Sequence, residues 1–76
     1  MSPIPRRPPD FLDTQVRIRW TGGQRWRSPD GARIWTWDSL HGEVEGFTRR
    51  GYHVGVFDPT TGARIGEAIP GRRIDV

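Results

Sequence analysis

Trp37-Asp38-Ser39-Leu40-His41-Gly42-Glu43-Val44-Glu45-Gly46-Phe47 is the stretch whose reading decides the fold. It holds one of the chain's two histidines and two of its three glutamates. Successive side chains of a strand point to opposite faces, so a strand here sets His41, Glu43, Glu45 and Phe47 on one face. Gly42, Val44 and Gly46 fall on the other. Strand faces are normally apolar inward or mixed and solvated outward, and a row of one imidazole and two carboxylates fits neither pattern well. It carries the groups that proton transfer needs.

The segments on either side also read as strands. Arg33 to Asp38 is rich in aromatic and β-branched residues, and Asp38-Ser39-Leu40-His41 makes a tight connection into the row, with Asp38 placed to accept backbone N–H groups. Thr48-Arg49-Arg50-Gly51 is the next turn, followed by a strand from Tyr52 to Asp58. Asp58-Pro59-Thr60-Thr61-Gly62 is the strongest hairpin signal, a type I turn closed by a left-handed glycine. Arg64 to Ile69 returns as a strand, Pro70-Gly71 breaks it, and Arg72 to Val76 is a candidate short final strand.

Toward the N-terminus, Gln15 to Trp20 alternates Val16, Ile18 and Trp20 against Arg17 and Arg19, the period of a half-buried strand. Residues 21–24 and 28–31 have turn composition. Met1 to Pro9, with four prolines and two arginines, reads as an extended, poorly ordered leader or linker remnant. Asp10 to Thr14 has room for a single helical turn. No segment carries a 3.6-residue apolar period, and glycine plus proline make up 17 of 76 residues. The expectation is a mainly β fold, small α+β at most: one highly twisted antiparallel sheet of four to six short strands. Residues 1–14 form the leader and 15–76 the domain. Four tryptophans, Trp20, Trp26, Trp35 and Trp37, are expected to supply much of the core.

Seventy-six residues leave room for only a thin core. Without cysteine there is no disulfide or thiolate staple, and two separated histidines do not make a structural zinc site. No metal or cofactor is expected. No apolar run has the length of a membrane span, so stable membrane association is not expected either. The net charge is +3 with a pI near 11, and all twelve basic residues are arginine. Codon bias alone could remove lysine. Arginine's planar fork also suits phosphate. A small basic domain favours a polyanion, nucleic acid first, or an acidic protein.

Cleaving RNA without a metal takes a base for the ribose 2′-OH, an acid for the departing 5′-oxygen and a cation for the phosphorane. Glutamate and histidine titrate far enough apart for one to be ionised while the other holds its proton. Asp38 can hold the His41 imidazole in one tautomer, and Arg72 and Arg73 are the candidate phosphate ligands. Two residues along a strand span about 7 Å, so His41 and Glu45 stand about twice that apart unless the strand coils, which the two glycines permit. The same residues fit a solvated strand face with a surface histidine. On the residues alone, a ribonuclease and a non-catalytic β-module binding RNA or an acidic protein both remain open.

Beyond this, residues 25–76 resemble the cytotoxic ribonuclease domain of the E-group colicins that cleave small-subunit ribosomal RNA, a domain shared with related pyocins and contact-dependent toxins. The resemblance rests on Arg25-Trp26 placed eleven residues before Trp37-Asp38, and on the block Trp37-Asp38-Ser39-x-His41-Gly42-Glu43-x-Glu45-Gly46. Further on come His53-x-Gly55-x-Phe57-Asp58-Pro59-x-Thr61-Gly62 and Pro70-x-Arg72-x-Ile74. It implies a metal-independent endoribonuclease toxin acting on 16S rRNA in the decoding centre of the ribosomal small subunit. The products would be a 2′,3′-cyclic phosphate and a 5′-hydroxyl, and translation would stop. It implies catalytic roles for Asp38, His41, Glu45 and Arg72: Glu45 as base, His41 as its acid partner, Asp38 orienting His41, and Arg72 on the phosphate.

Glu43, Phe47, His53 and Arg73 are expected to support the site or bind substrate. The chain departs from the family pattern at Gly71, where the family has lysine, and at Phe47, where it has tyrosine. A three-residue Arg49-Arg50-Gly51 loop sets His53 opposite Phe47 on the catalytic face, and a four-residue loop does not. The resemblance further implies a cognate acidic immunity protein, a monomer apart from that complex, and secretion or delivery as part of a larger toxin that acts in the cytoplasm of the target bacterium.

Overall fold

Alternation and turn chemistry resolve into a meander. The computed structural model describes residues 2–76, which form one six-stranded antiparallel sheet with its strands in sequence order. They are β1 (Val16–Ile18), β2 (Arg25–Arg27), β3 (Arg33–Asp38), β4 (Glu43–Thr48), β5 (His53–Phe57) and β6 (Arg64–Gly66). One 3-10 turn, Phe11–Thr14, precedes them, and the Asp10 carboxylate caps it by accepting the Leu12 N–H. The mainly β expectation and its upper strand count are met.

The registers sort the side chains into two faces. Trp26 lies opposite Trp35, Trp35 opposite Gly46, Trp37 opposite Val44, and Val44 opposite Phe57. This face meets the 3-10 turn, and the core is Leu12, Trp26, Trp35 and Val44, flanked by Phe11, Trp37 and Phe57. Phe11 and Phe57 meet Trp35 edge-on at 5.2 and 4.9 Å, an arrangement that aligns ring edges with ring faces. A Cβ at Gly46 would stand 2.8 Å from the Trp35 ring and closer still to Phe57, so the middle of β4 has to be glycine. Trp20 does not join this core. It stacks on the opposite face under Arg25, whose guanidinium lies 3.8 Å from its ring centroid.

Several expectations shift in detail. The three-residue strand β2, enclosed by two turns, had no period long enough to reveal it. In β1 the expected burial fails: Val16 is 40% exposed, whereas Arg17 and Arg6 lie over the Trp26 ring at 5.4 and 5.0 Å. An edge strand has a neighbour on one side only, so its apolar residues have little to pack on. The C-terminal segment is not a full strand but makes the isolated bridge Tyr52–Arg73 just ahead of β5, flanked by His53 N–H to Arg72 C=O at 3.0 Å and Ile74 N–H to Gly51 C=O at 2.9 Å.

The leader also departs from expectation. It is extended, but it is docked rather than loose. Ile4 donates its N–H to Ser39 C=O, and the Trp37 indole N–H donates back to Ile4 C=O, both at 2.8 Å. Arg6 is clamped by Asp10 and Asp13 at 2.7 and 2.9 Å. Fully buried Leu12 makes the end of the 1–14 stretch part of the core.

Candidate active site

The opposite face of the sheet carries the chemistry. Its central row runs Arg25, Thr36, Glu45, Val56 across β2 to β5, with Ile34, Phe47 and His53 beside it on one side and Asp38 opposite Glu43 on the other. Two hydrogen-bonded clusters form here.

The first is built by the β3–β4 connection. Gly42 donates its N–H to Asp38 C=O at 2.8 Å, and Asp38 Oδ1 accepts the N–H groups of Leu40 and His41 at 3.0 and 3.2 Å. The Asp58 turn uses the same chemistry, with Oδ1 accepting from Thr60 and Thr61 at 2.7 and 3.0 Å. In the first turn Asp38 keeps Oδ2 free for the imidazole, and His41 Nδ1 sits 2.8 Å from it. β4 begins at Glu43, so His41 stands in the turn rather than on the strand row, with its ring 63% exposed. That placement frees it from the spacing of the pleat.

The hydrogen bond to Asp38 pushes the His41 pKa up, helped by the Asp38 charge and by those of Glu43 and Glu45. Burial alone would raise Asp38, but the His41 ring and the two backbone N–H groups outweigh it and hold the carboxyl below its usual range. Glu43 faces this pair across the strands, and ligand atoms of Asp38, His41 and Glu43 lie within 4.8 Å of one another. A cation held by all three would compete with the proton that the Asp38–His41 pairing favours.

The second cluster surrounds Glu45, whose side chain is 8% exposed. Arg72 Nη1 donates to Oε1 at 3.0 Å and His53 Nε2 to Oε2 at 2.7 Å. The His53 tautomer is fixed from behind, because Ile69 N–H donates to Nδ1 at 2.9 Å and the ring proton must sit on Nε2. His53 reaches this face through two backbone features. The turn Arg49-Arg50-Gly51 has three residues, so Thr48 N–H bonds Tyr52 C=O at 2.8 Å and His53 pairs with Phe47. A bulge then shifts the register between Gly46 and Phe47, leaving Val54 without a partner. The His53 ring is fully buried, edge-on to Phe47 at 5.3 Å.

Phe47 is fully buried too, beneath the Arg72 guanidinium at 5.7 Å, so it serves as the floor of the site. Arg73 lies instead over the exposed Tyr52 ring at 4.7 Å, and the ion pairs of Glu45 are with Arg72 and His53. Among the described residues no hydrogen bond joins the two clusters.

Arg25 is a part of this face that sequence reasoning did not single out as functional. It is 6% exposed, donates through Nη1 to Asp75 C=O at 2.6 Å, and leaves Nε buried without a partner among the described residues. Nothing in the alternation Arg25-Trp26-Arg27 distinguishes the buried arginine from the exposed one.

The whole arrangement therefore offers an oriented carboxylate with a cation beside it, and an exposed imidazole that tends to keep its proton. Among the described residues no helix is long and apolar enough to cross a membrane. Over residues 9–75 the chain matches the family model described as Cytotoxic. It is 44% identical over 52 residues to Colicin E3 of Escherichia coli, covering 67% of this chain and 9% of that protein. Identity to Colicin-E6 is 43% over 56 residues, with 70% and 10% covered, and to Cloacin 43% over 59 residues, with 76% and 9% covered, both from the same organism. The chain thus spans about a tenth of the length of these relatives. With nearly its whole length matched by the model, the chain belongs to the Cytotoxic family, the toxin domain that it shares with the E-group colicins and cloacin.

Proposed function

We propose that this domain is a metal-independent endoribonuclease toxin that cleaves 16S rRNA in the decoding centre. The observation that carries this reading is a Glu45 carboxylate aimed by Arg72 and His53, whose charge acts on a His41 imidazole held by Asp38. Glu45 takes the proton of a ribose 2′-OH. The 2′-oxygen attacks the adjacent phosphorus, the bond from phosphorus to the 5′-oxygen breaks, and His41 delivers its proton to that oxygen. The products are a 2′,3′-cyclic phosphate and a 5′-hydroxyl. Asp38 keeps His41 protonated and correctly turned. Arg72 spends one N–H on Glu45, and the rest of its five-donor fork is available to the phosphorane oxygens.

The remaining arginines suit a ribosomal surface, and an acidic immunity protein of the producing cell would meet the same charge. Delivery as part of a larger toxin accords with the short span of the relatives that this chain matches.

The test is to incubate ribosomes with the protein in EDTA and look for a short 3′-terminal fragment of 16S rRNA. Glu45→Gln and His41→Ala should each reduce its yield by about 100- to 10,000-fold, the usual worth of a general acid or base. Normal cleavage by both variants would overturn the assignment. Salt-sensitive RNA binding with no product, indifferent to Glu45→Gln, would mark a non-catalytic module instead.

A further inference from the structure

Between the docked leader and the two aspartate turns lies a cavity of about 300 Å³. Its lining includes Trp37, Pro5, Pro59, Arg7, Thr60 and His41, together with Asp10, whose carboxylate is held by Arg6. We propose that this cavity is a nucleotide subsite, seating the base on the 3′ side of the scissile bond, with Arg7 on the phosphate that follows it.

The inference rests on the ribonuclease reading above and adds to it. His41 belongs both to the site with Asp38 and to the lining of this cavity, so the cavity adjoins the residue that delivers the proton to the 5′-oxygen. The volume is at the lower end of small-ligand pockets, and an indole in the lining is a flat apolar surface of the kind on which bases stack whatever their sequence. Trp37 is held in place for this, because its indole N–H is tied to Ile4 C=O at 2.8 Å. Arg7 differs from its neighbour: Arg6 is locked to Asp10 and Asp13, whereas Arg7 is exposed and makes no ion pair among the described residues. The leader thus supplies one wall and one cation, although the sequence offered it only as a linker.

The probe is 2′-deoxyadenosine 3′,5′-bisphosphate, whose 5′-phosphate stands for the scissile phosphate and whose 3′-phosphate should reach Arg7. It lacks the 2′-OH and cannot be turned over. Titration followed by NMR should shift the Trp37 indole N–H and the His41 ring signals. The bisphosphate should bind several-fold tighter than the 5′-monophosphate, and Arg7→Ala should remove that advantage. Thr60→Trp, filling the cavity from its rim, should weaken both ligands and raise KM for ribosomes by about 5- to 100-fold, the range of a lost stacked base, with less effect on kcat.

The subsite is overturned if a folded Thr60→Trp binds the probe and cleaves with unchanged KM, or if Arg7→Ala keeps the preference for the bisphosphate. Arg7→Ala removes only an exposed side chain and keeps the question open to test should Thr60→Trp not fold. If the wild-type protein binds the probe here in the expected way but cuts no ribosomes, the nucleotide site stands and the ribonuclease reading falls.

Discussion

His41 and Glu45 show how two residues of similar promise in sequence receive different treatment in the fold. Glu45 is buried and accepts one hydrogen bond on each oxygen, so its geometry is fixed before any substrate arrives. His41 is exposed, and its only ring partner among the described residues is Asp38. Because Asp38 raises the His41 pKa, the imidazolium persists to higher pH than in a free histidine, and the acid function is lost only as pH rises through that raised value. Asp38→Asn should therefore lower the His41 pKa and move the alkaline limb of the activity profile to lower pH. An NMR titration of the His41 ring alongside the cleavage rates checks both shifts, and an unmoved limb would separate His41 from the acid role. Glu45→Gln keeps the shape of the cluster and should leave the fold intact. Glu45→Ala leaves the buried His53 N–H without its acceptor and should cost about 1–3 kcal/mol in a urea melt.

At the scale of elements, the β4–β5 hairpin decides which groups meet. Its turn places Gly51 at φ +90°, and a Cβ there would collide with the Ile74 carbonyl oxygen. The same Gly51 accepts the Ile74 N–H, and the chain between them carries Arg72 alongside β5. Gly51→Ala should therefore do more than strain a turn. We expect a loss of about 1–3 kcal/mol in stability from the left-handed backbone and a fall in cleavage, because the segment presenting Arg72 is pushed outward. A crystal structure or the Arg72 side-chain NMR signals would register the displacement, and unchanged activity would show that the segment tolerates it. The bulge at Val54 belongs to the same device, since one unpaired residue keeps His53 on the Glu45 face while the rest of β5 packs Phe57 into the core.

For the whole molecule, closure depends on both ends of the chain. The leader seals the core face and the active-site turn, and the C-terminus crosses to β2, where Asp75 C=O receives the buried Arg25. Burial pushes the Arg25 pKa down, with Asp75 partly opposing it, and its Nε has no partner among the described residues. Removing residues 75–76 should strip Arg25 of its remaining acceptor and destabilise the fold by about 1.5–3 kcal/mol, measurable as a lower urea midpoint with an unchanged m-value. If the midpoint does not move, the tail is not needed for closure.

The sequence by itself determined the mainly β meander, the two aspartate turns and the block from Asp38 to Glu45. Those features are written in period-two alternation and in residue types whose preferences act within a few positions. Tertiary structure alone decided that Glu45 is held by Arg72, 27 residues away, and by His53, that His41 stands off the strand, and that the leader docks. The reason is physical. A one-residue change in a turn or a bulge moves every later side chain to the other face, and whether a proline-rich segment finds a surface depends on grooves that exist only once the sheet has formed.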